Sequence, residues 1–279
     1  MLHHHSRTML AAMGLVALGN GAAPGLAHAQ AVEVFAAGSL RAVVTDVAAA
    51  AMSSFQIEVK ASFGGSGSMR ERIEKGEPAD LLLSADLGSP RKLEAQGRTI
   101  VPAVAFARNR MCIVARRSEG ITAGNLVDRL LAKRVRLSTS TPIADPSGDY
   151  AWTIFDRVEA SRPGAGAALK EKAQASMNLT AAPSSPSQSA AAALFQSGQI
   201  DVSITYCSAS ASLQKELPEL MSLPVPQQLD PHPVYGIAVL SSKPEAMRIA
   251  LFLLSEQGQA IIARNGLVPI SDPAGAAVQ

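Results

Sequence analysis

Four places in the chain gather hydroxyls, glycines and free backbone N–H groups where an extended segment gives way to a helical one. They are Gly38-Ser39, Gly64-Gly65-Ser66-Gly67-Ser68, the stretch from Thr139-Ser140-Thr141 to Asp145-Pro146-Ser147-Gly148-Asp149, and Pro183-Ser184-Ser185-Pro186-Ser187-Gln188-Ser189. None holds a lysine or arginine inside the turn. Such donors bind an anion without a counter-charge. The first N–H groups of a helix have no intrahelical partner and the macrodipole places about half a positive charge there, so a small oxyanion meets several aligned donors. A serine or threonine at one such point is also simply an N-cap. Four together shift the balance towards a site.

Hydrolytic and metal chemistry are less well served. Gly64-Gly65-Ser66-Gly67-Ser68 fails the nucleophile-elbow pattern, which requires glycine at its fifth position. His232, in the proline-fixed loop Asp230-Pro231-His232-Pro233, is the one histidine beyond His28. A serine hydrolase built on His232 is an alternative that no motif supports. There is no H-E-x-x-H, no Cys/His metal spacing and no P-loop. The carboxylates Asp80, Asp86, Asp145 and Asp149 are most simply caps and surface groups.

The elements that must position these turns alternate. Val32–Ala37 predicts a strand and Leu40–Ala48 a helix; Ile57–Phe63 alternates as a strand before a helix over Met69–Lys75, and Ala79–Ser84 is a continuous apolar run. This β-α-β-α-β order specifies a parallel sheet covered by helices on both faces. Further strands are expected at Met111–Val114, Val135–Ser138, Asp201–Tyr206 and Val234–Leu240, with helices near 123–132, 150–155, 169–175 and 190–195, and one closing amphipathic helix over Ala246–Ala263. In such sheets ligands collect at the carboxyl ends of the strands.

The composition suits a globular chain. It has 279 residues, 47% hydrophobic, with 25 Lys+Arg against 23 Asp+Glu. That near balance and the 4% of aromatics argue against a nucleic-acid binder. Residues 1–29 have a basic start, a short apolar run over Met9–Leu18 and the small-residue site Ala27-His28-Ala29, the three parts of a secretory signal. Cleavage is expected after Ala29, giving an exported chain. Export places Cys112 and Cys207 in an oxidising compartment, where a disulfide and two buried free thiols are equal expectations.

Taken together, these stretches resemble the periplasmic molybdate-binding protein family, the solute-binding component of molybdate and tungstate ABC transporters. The likeness covers most of the mature chain. It is carried by Val34-Phe35-Ala36-Ala37-Gly38-Ser39-Leu40, by Ser62-Phe63-Gly64-Gly65-Ser66-Gly67-Ser68, and by Ile73-Glu74-Lys75-Gly76-Glu77-Pro78-Ala79-Asp80-Leu81 continuing to Ser84-Ala85-Asp86. Asp145-Pro146-Ser147-Gly148 and Ile204-Thr205-Tyr206 continue it in the second half.

The resemblance implies an α/β type II periplasmic-binding-protein fold, with residues 30–109 and 230–279 in one lobe, 110–229 in the other, and a ligand cleft between them. It implies a periplasmic monomer with no cofactor and no catalytic step, which passes its oxyanion to an ABC permease. The implied ligand contacts are the hydroxyls of Ser39, Ser66 and Tyr206 and the backbone N–H groups of Ser147 and Gln188. Departures are Gly38 and Gly65, where the family commonly has alanine, and Gln188, where it has an apolar residue. Thr205 stands where archaeal tungstate-binding relatives carry a coordinating carboxylate, which favours simple hydrogen-bonded binding. Molybdate, tungstate and sulfate are fully ionised at neutral pH and are satisfied by donors alone, whereas phosphate carries a proton and needs an acceptor. Asp145 or Asp149 pointing into the cleft would therefore favour phosphate.

Overall fold

Apolar runs bounded by glycine and serine fold into strands whose ends feed directly into helices. The computed structural model describes residues 1–3, 31–177, 179–185 and 188–271. Residues 4–30, which hold most of the leader and its expected cleavage site, fall outside the described residues, as do Pro186 and Ser187 of the fourth turn.

The chain begins with β1 (Val32–Ala37), a 3-10 turn over Gly38–Leu40 and α1 (Arg41–Phe55). Next come β2 (Val59–Gly64), α2 (Ser66–Glu74), β3 (Leu81–Ser84), α3 (Gly88–Ala95) and β4 (Val104–Arg108). The middle of the chain supplies β5 (Met111–Arg116), α4 (Leu126–Leu131), β6 (Leu137–Ser138), α5 (Pro146–Ser161), α6 (Ala165–Gln174), α7 (Ala190–Gln196), β7 (Val202–Tyr206), α8 (Cys207–Glu216) and β8 (Leu220–Pro224). It ends with β9 (Val234–Val239), α9 (Pro244–Leu254), α10 (Glu256–Arg264) and β10 (Val268–Pro269).

Two sheets result, ordered β10-β4-β9-β3-β1-β2 and β6-β7-β5-β8. The first draws on both ends of the chain and the second on its middle, the arrangement of a two-lobe α/β fold. Neither sheet is all-parallel, which corrects the expectation from the opening alternation. β1, β2 and β3 are parallel, but β9 pairs antiparallel with β3 and β4. In the second sheet β5 runs antiparallel to both β7 and β8. The reason is that the chain crosses between lobes twice, at 109–110 and over 225–233, and the strands flanking each crossing enter and leave in opposite directions. The crossings are tied together where the Asn109 N–H donates to the Pro233 carbonyl at 2.9 Å.

The cores explain why these runs are strands. Leu81, Leu82 and Leu83 are covered on both faces of the first sheet, as are Met111, Ile113 and Val114 in the second; each such side chain contributes about 1.5–3 kcal/mol by burial. The closing helix is broken, also against expectation. Ser255 adopts an extended conformation and caps α10 by accepting the Gly258 N–H at 3.2 Å. The sequence pattern does not mark α3, β4, α8, β8 or β10.

Cys112 and Cys207 are joined, with Cα atoms 4.8 Å apart, which decides between the two expectations for these residues. The bond links β5 to the first residue of α8, beside Tyr206. Closing a loop with a sequence separation of 95 contributes on the order of 4 kcal/mol in the chain-entropy account.

Candidate functional site

The junctions singled out in the sequence lie along the seam between the lobes. At the end of β1, Ser39 sits in the tight turn before α1, its Oγ 3.1 Å from the Tyr235 hydroxyl. Asn109 Nδ2 donates both to that hydroxyl at 3.1 Å and to Ser208 Oγ at 2.8 Å. Either hydroxyl can donate in the Ser39–Tyr235 pair, and when Tyr235 donates the Ser39 proton is left for a ligand. Ser66 opens α2 and is fully buried; its Oγ accepts the Ala85 N–H at 2.9 Å, so its proton too has no acceptor among the described residues.

The facing lobe presents three more hydroxyls. Tyr206 ends β7, Thr139 follows β6, and Ser147 lies in the first turn of α5; they are 3%, 7% and 3% exposed, and none of the three hydroxyls has a partner among the described residues. A buried hydroxyl left unpaired costs about 1–3 kcal/mol, so native structures rarely keep three without a reason. All three sit at strand ends or at a helix start.

The two backbone donors are placed differently from expectation. The Ser147 N–H donates to Asp145 Oδ1 at 3.0 Å, and the Gln188 N–H to the Ser185 carbonyl at 3.1 Å. The Gln188 side chain is also committed, accepting from the Ser184 N–H at 2.5 Å and donating to Gln196 Oε1 at 2.6 Å. Both N–H groups are thus spent within their own turns, and Gln188 folds back on the 184–196 segment. Of the five expected contacts, the hydroxyls of Ser66 and Tyr206 keep a free proton among the described residues, and Ser39 shares a hydrogen bond with Tyr235.

Sequence reasoning missed the tyrosine cluster around Tyr206. Its ring centroid is 6.2 Å from that of Tyr150 and 5.6 Å from that of Tyr235. Burial pushes all three phenols well above their ordinary range, so they stay protonated and remain donors. Two of these rings come from segments whose strand and helix periodicity marks them only as core.

Of the four carboxylates expected as caps or surface groups, Asp145 is an N-cap and Asp86 bonds the first turn of α3, while Asp80 is a buried ion-pair partner. Asp86 accepts from Ser84 Oγ at 2.9 Å and from the Ser89 N–H in the first turn of α3. Asp80 is buried and paired with Lys243 Nζ at 2.8 Å. Asp145 caps α5, and burial pushes its carboxyl up; the Ser147 N–H and the Ser140 hydroxyl oppose this, while the charges of Asp149 and Asp86 add to it. Burial also raises Asp149, which accepts the Ile143 N–H at 2.8 Å.

The lobes touch. A Cβ on Gly65 would lie 2.1 Å from the Ala144 carbonyl oxygen, and one on Gly67 only 1.9 Å from that of Ile143. Ser68 N–H points at the same Ala144 oxygen at 3.4 Å. Cavities flank this contact: one of about 530 Å³ bordered by Ser39, Arg41, Thr205 and Glu216, the other of about 430 Å³ bordered by Arg70, Asp86, Lys92, Asp149 and Tyr150. Their charges are mixed, so any anion is held by placed donors and not by a positive field. The His232 ring faces Asp230 Oδ2 at 3.8 Å, and no serine bonds to it among the described residues. No group of three or more His, Cys, Asp or Glu among them is placed to hold a metal ion.

Comparison with known proteins agrees with the two-lobe fold. Residues 32–268 match the family described as bacterial extracellular solute-binding proteins. An uncharacterized Pasteurella multocida protein, PM1146, is 34% identical over 240 residues, spanning 85% of this chain and 98% of that one. The molybdate-binding protein ModA of Azotobacter vinelandii is 35% identical over 86 residues, 31% of this chain and 34% of its own. Among solved structures, the sulfate-binding protein SubI of Mycobacterium tuberculosis superposes with a TM-score of 0.71 at 20% identity, covering 88% of this chain and 89% of that one.

Proposed function

The chain belongs to the bacterial extracellular solute-binding protein family, and from that premise we propose that it closes on a tetrahedral oxyanion, molybdate foremost and tungstate with it, and delivers it to an ABC-transporter permease. Export with removal of residues 1–29 precedes this role. The observation that carries the reading is the set of buried hydroxyls with uncommitted protons, Ser66 on one lobe and Tyr206, Ser147 and Thr139 on the other. Donors without acceptors suit a fully ionised anion, and each hydrogen bond to such a charge is worth about 1.5–3 kcal/mol. The likenesses to molybdate-binding and sulfate-binding proteins point to the same ligand shape. Binding and release need no bond to be made or broken, so the activity is capture and transfer.

One observation favours a second ligand. Asp145 is half-buried at the α5 start beside these hydroxyls, and a carboxylate there accepts the proton of hydrogen phosphate.

A thermal-shift series on residues 30–279 with molybdate, tungstate, sulfate and phosphate tests the reading. A ligand at 100 times its Kd adds about 2.7 kcal/mol of apparent stability. Molybdate and tungstate are expected to give the largest shifts; no shift with any of the four contradicts the oxyanion role.

A further inference from the structure

Asp145 is not where a pocket built only for a dianion would put a carboxylate. Its backbone lies in the seam itself: a Cβ on Gly65 would be 3.2 Å from the Asp145 Cα, so the residue faces the first turn of α2, next to Ser66, from the opposite lobe. Its Oδ1 takes the Ser147 N–H, the helix-start donor otherwise open to an anion. The hydroxyls of Ser147, Tyr206 and Thr139 on the same lobe have no partners among the described residues. An ionised Asp145 beside a doubly charged ligand repels it strongly once closure excludes water.

We infer that Asp145 makes capture proton-linked: the closed cleft holds its oxyanion together with one proton, shared between Asp145 and a ligand oxygen. This rests on the oxyanion reading above and specifies which chemical form the site accepts. With molybdate, which brings no proton, the Asp145 carboxylate takes one from solvent, and the resulting carboxylic acid donates to a molybdate oxygen. With hydrogen phosphate the ligand brings the proton and donates it to the carboxylate. The proton count of the closed complex is the same in both cases.

The surroundings favour the protonated form. The charges that act on Asp145 are those of Asp149 on α5 and Asp86 after β3, with the phenols of Tyr206 and Tyr235 near it; Arg70 of α2 and Lys92 of α3 are the cations that border the adjoining cavity, with Pro146, Asp149 and Tyr150. The Lys92 charge acts on Asp149, drawing that carboxyl down. Burial and the like charges of Asp149 and Asp86 move the Asp145 carboxyl upward, so uptake extends to less acidic pH than an exposed aspartate allows. A group that gains a proton on binding makes affinity fall tenfold per pH unit once it is ionised in the free protein.

The test is calorimetric titration of molybdate into the mature protein from about pH 6 to about pH 9, repeated with Asp145→Asn. Asparagine is an equally good N-cap and its carbonyl still accepts the Ser147 N–H, so the variant is expected to fold. The expected result is a wild-type affinity that declines about tenfold per unit on the alkaline limb, with one proton taken up as counted in buffers of different ionisation enthalpy, and a flat profile in Asp145→Asn. Hydrogen phosphate binding to wild type at about pH 8 to 9 is expected to take up no proton. A flat wild-type profile for molybdate, or a slope that survives in Asp145→Asn, overturns the inference and leaves the oxyanion role standing. Failure of both anions to bind at every pH overturns that role itself, and this inference with it.

Discussion

Gly67→Ala is expected to lower oxyanion affinity at least a hundredfold while leaving the unliganded protein as stable as before or slightly more so. Gly67 lies in the first turn of α2, where alanine is the better helix former. The added methyl would meet the Ile143 carbonyl oxygen at 1.9 Å. That oxygen is backbone and has no rotamer by which to withdraw, so the lobes must stay apart. A ligand held by Ser39 and Ser66 alone forfeits the hydrogen bonds of the facing lobe, and losing two bonds at about 1.5–3 kcal/mol each is a factor of roughly 10² to 10⁴. Calorimetry measures the loss, and small-angle scattering should show that saturating molybdate no longer compacts the variant. Wild-type affinity in Gly67→Ala would mean that the contact between α2 and the 143–144 loop plays no part in closure.

Tyr206→Phe is expected to weaken binding about 10- to 100-fold and, in the same protein, to raise the melting temperature of the unliganded form. The two effects have one cause. The Tyr206 hydroxyl is buried without a partner among the described residues, so the free protein carries an unsatisfied donor that only a ligand relieves. Phenylalanine removes that cost, about 1–3 kcal/mol, and with it a hydrogen bond to the charged ligand. Ser66→Ala makes the contrast. It also deletes a ligand donor, but it strands the Ala85 N–H that Ser66 Oγ accepts at 2.9 Å, so it should lose affinity and stability together. A Tyr206→Phe protein that is less stable, or that binds as wild type does, would remove Tyr206 from the site.

Much of this was legible in the residues because its signals are local. Glycine and serine at a strand's end mark a helix start within a few positions, which is why Ser39, Ser66 and Ser147 all fall at the seam. What the pattern could not supply is long-range. The antiparallel entry of β9 depends on where the chain crosses between lobes, and the Asn109–Tyr235–Ser39 hydrogen bonds join residues 126 and 196 positions apart. Gln188 was misplaced because a glutamine before a helix can equally serve its own turn, and here its amide bonds Ser184 and Gln196. Asp145 was correctly expected as a cap, but only the approach of Gly65 to Ala144 shows that the cap lies inside the seam. The glycine at that position, where the resembled family commonly has alanine, is what admits it.

The central claim is that the oxyanion sits between the lobes against these hydroxyls. Its most direct test is anomalous X-ray diffraction at the molybdenum edge from crystals of residues 30–279 grown with molybdate. The account predicts one strong anomalous peak in the seam, within hydrogen-bonding reach, through its oxygens, of Ser66 Oγ on one side and the Tyr206 hydroxyl on the other. A peak elsewhere on the protein with the seam empty, in crystals where titration shows the protein saturated, would contradict it.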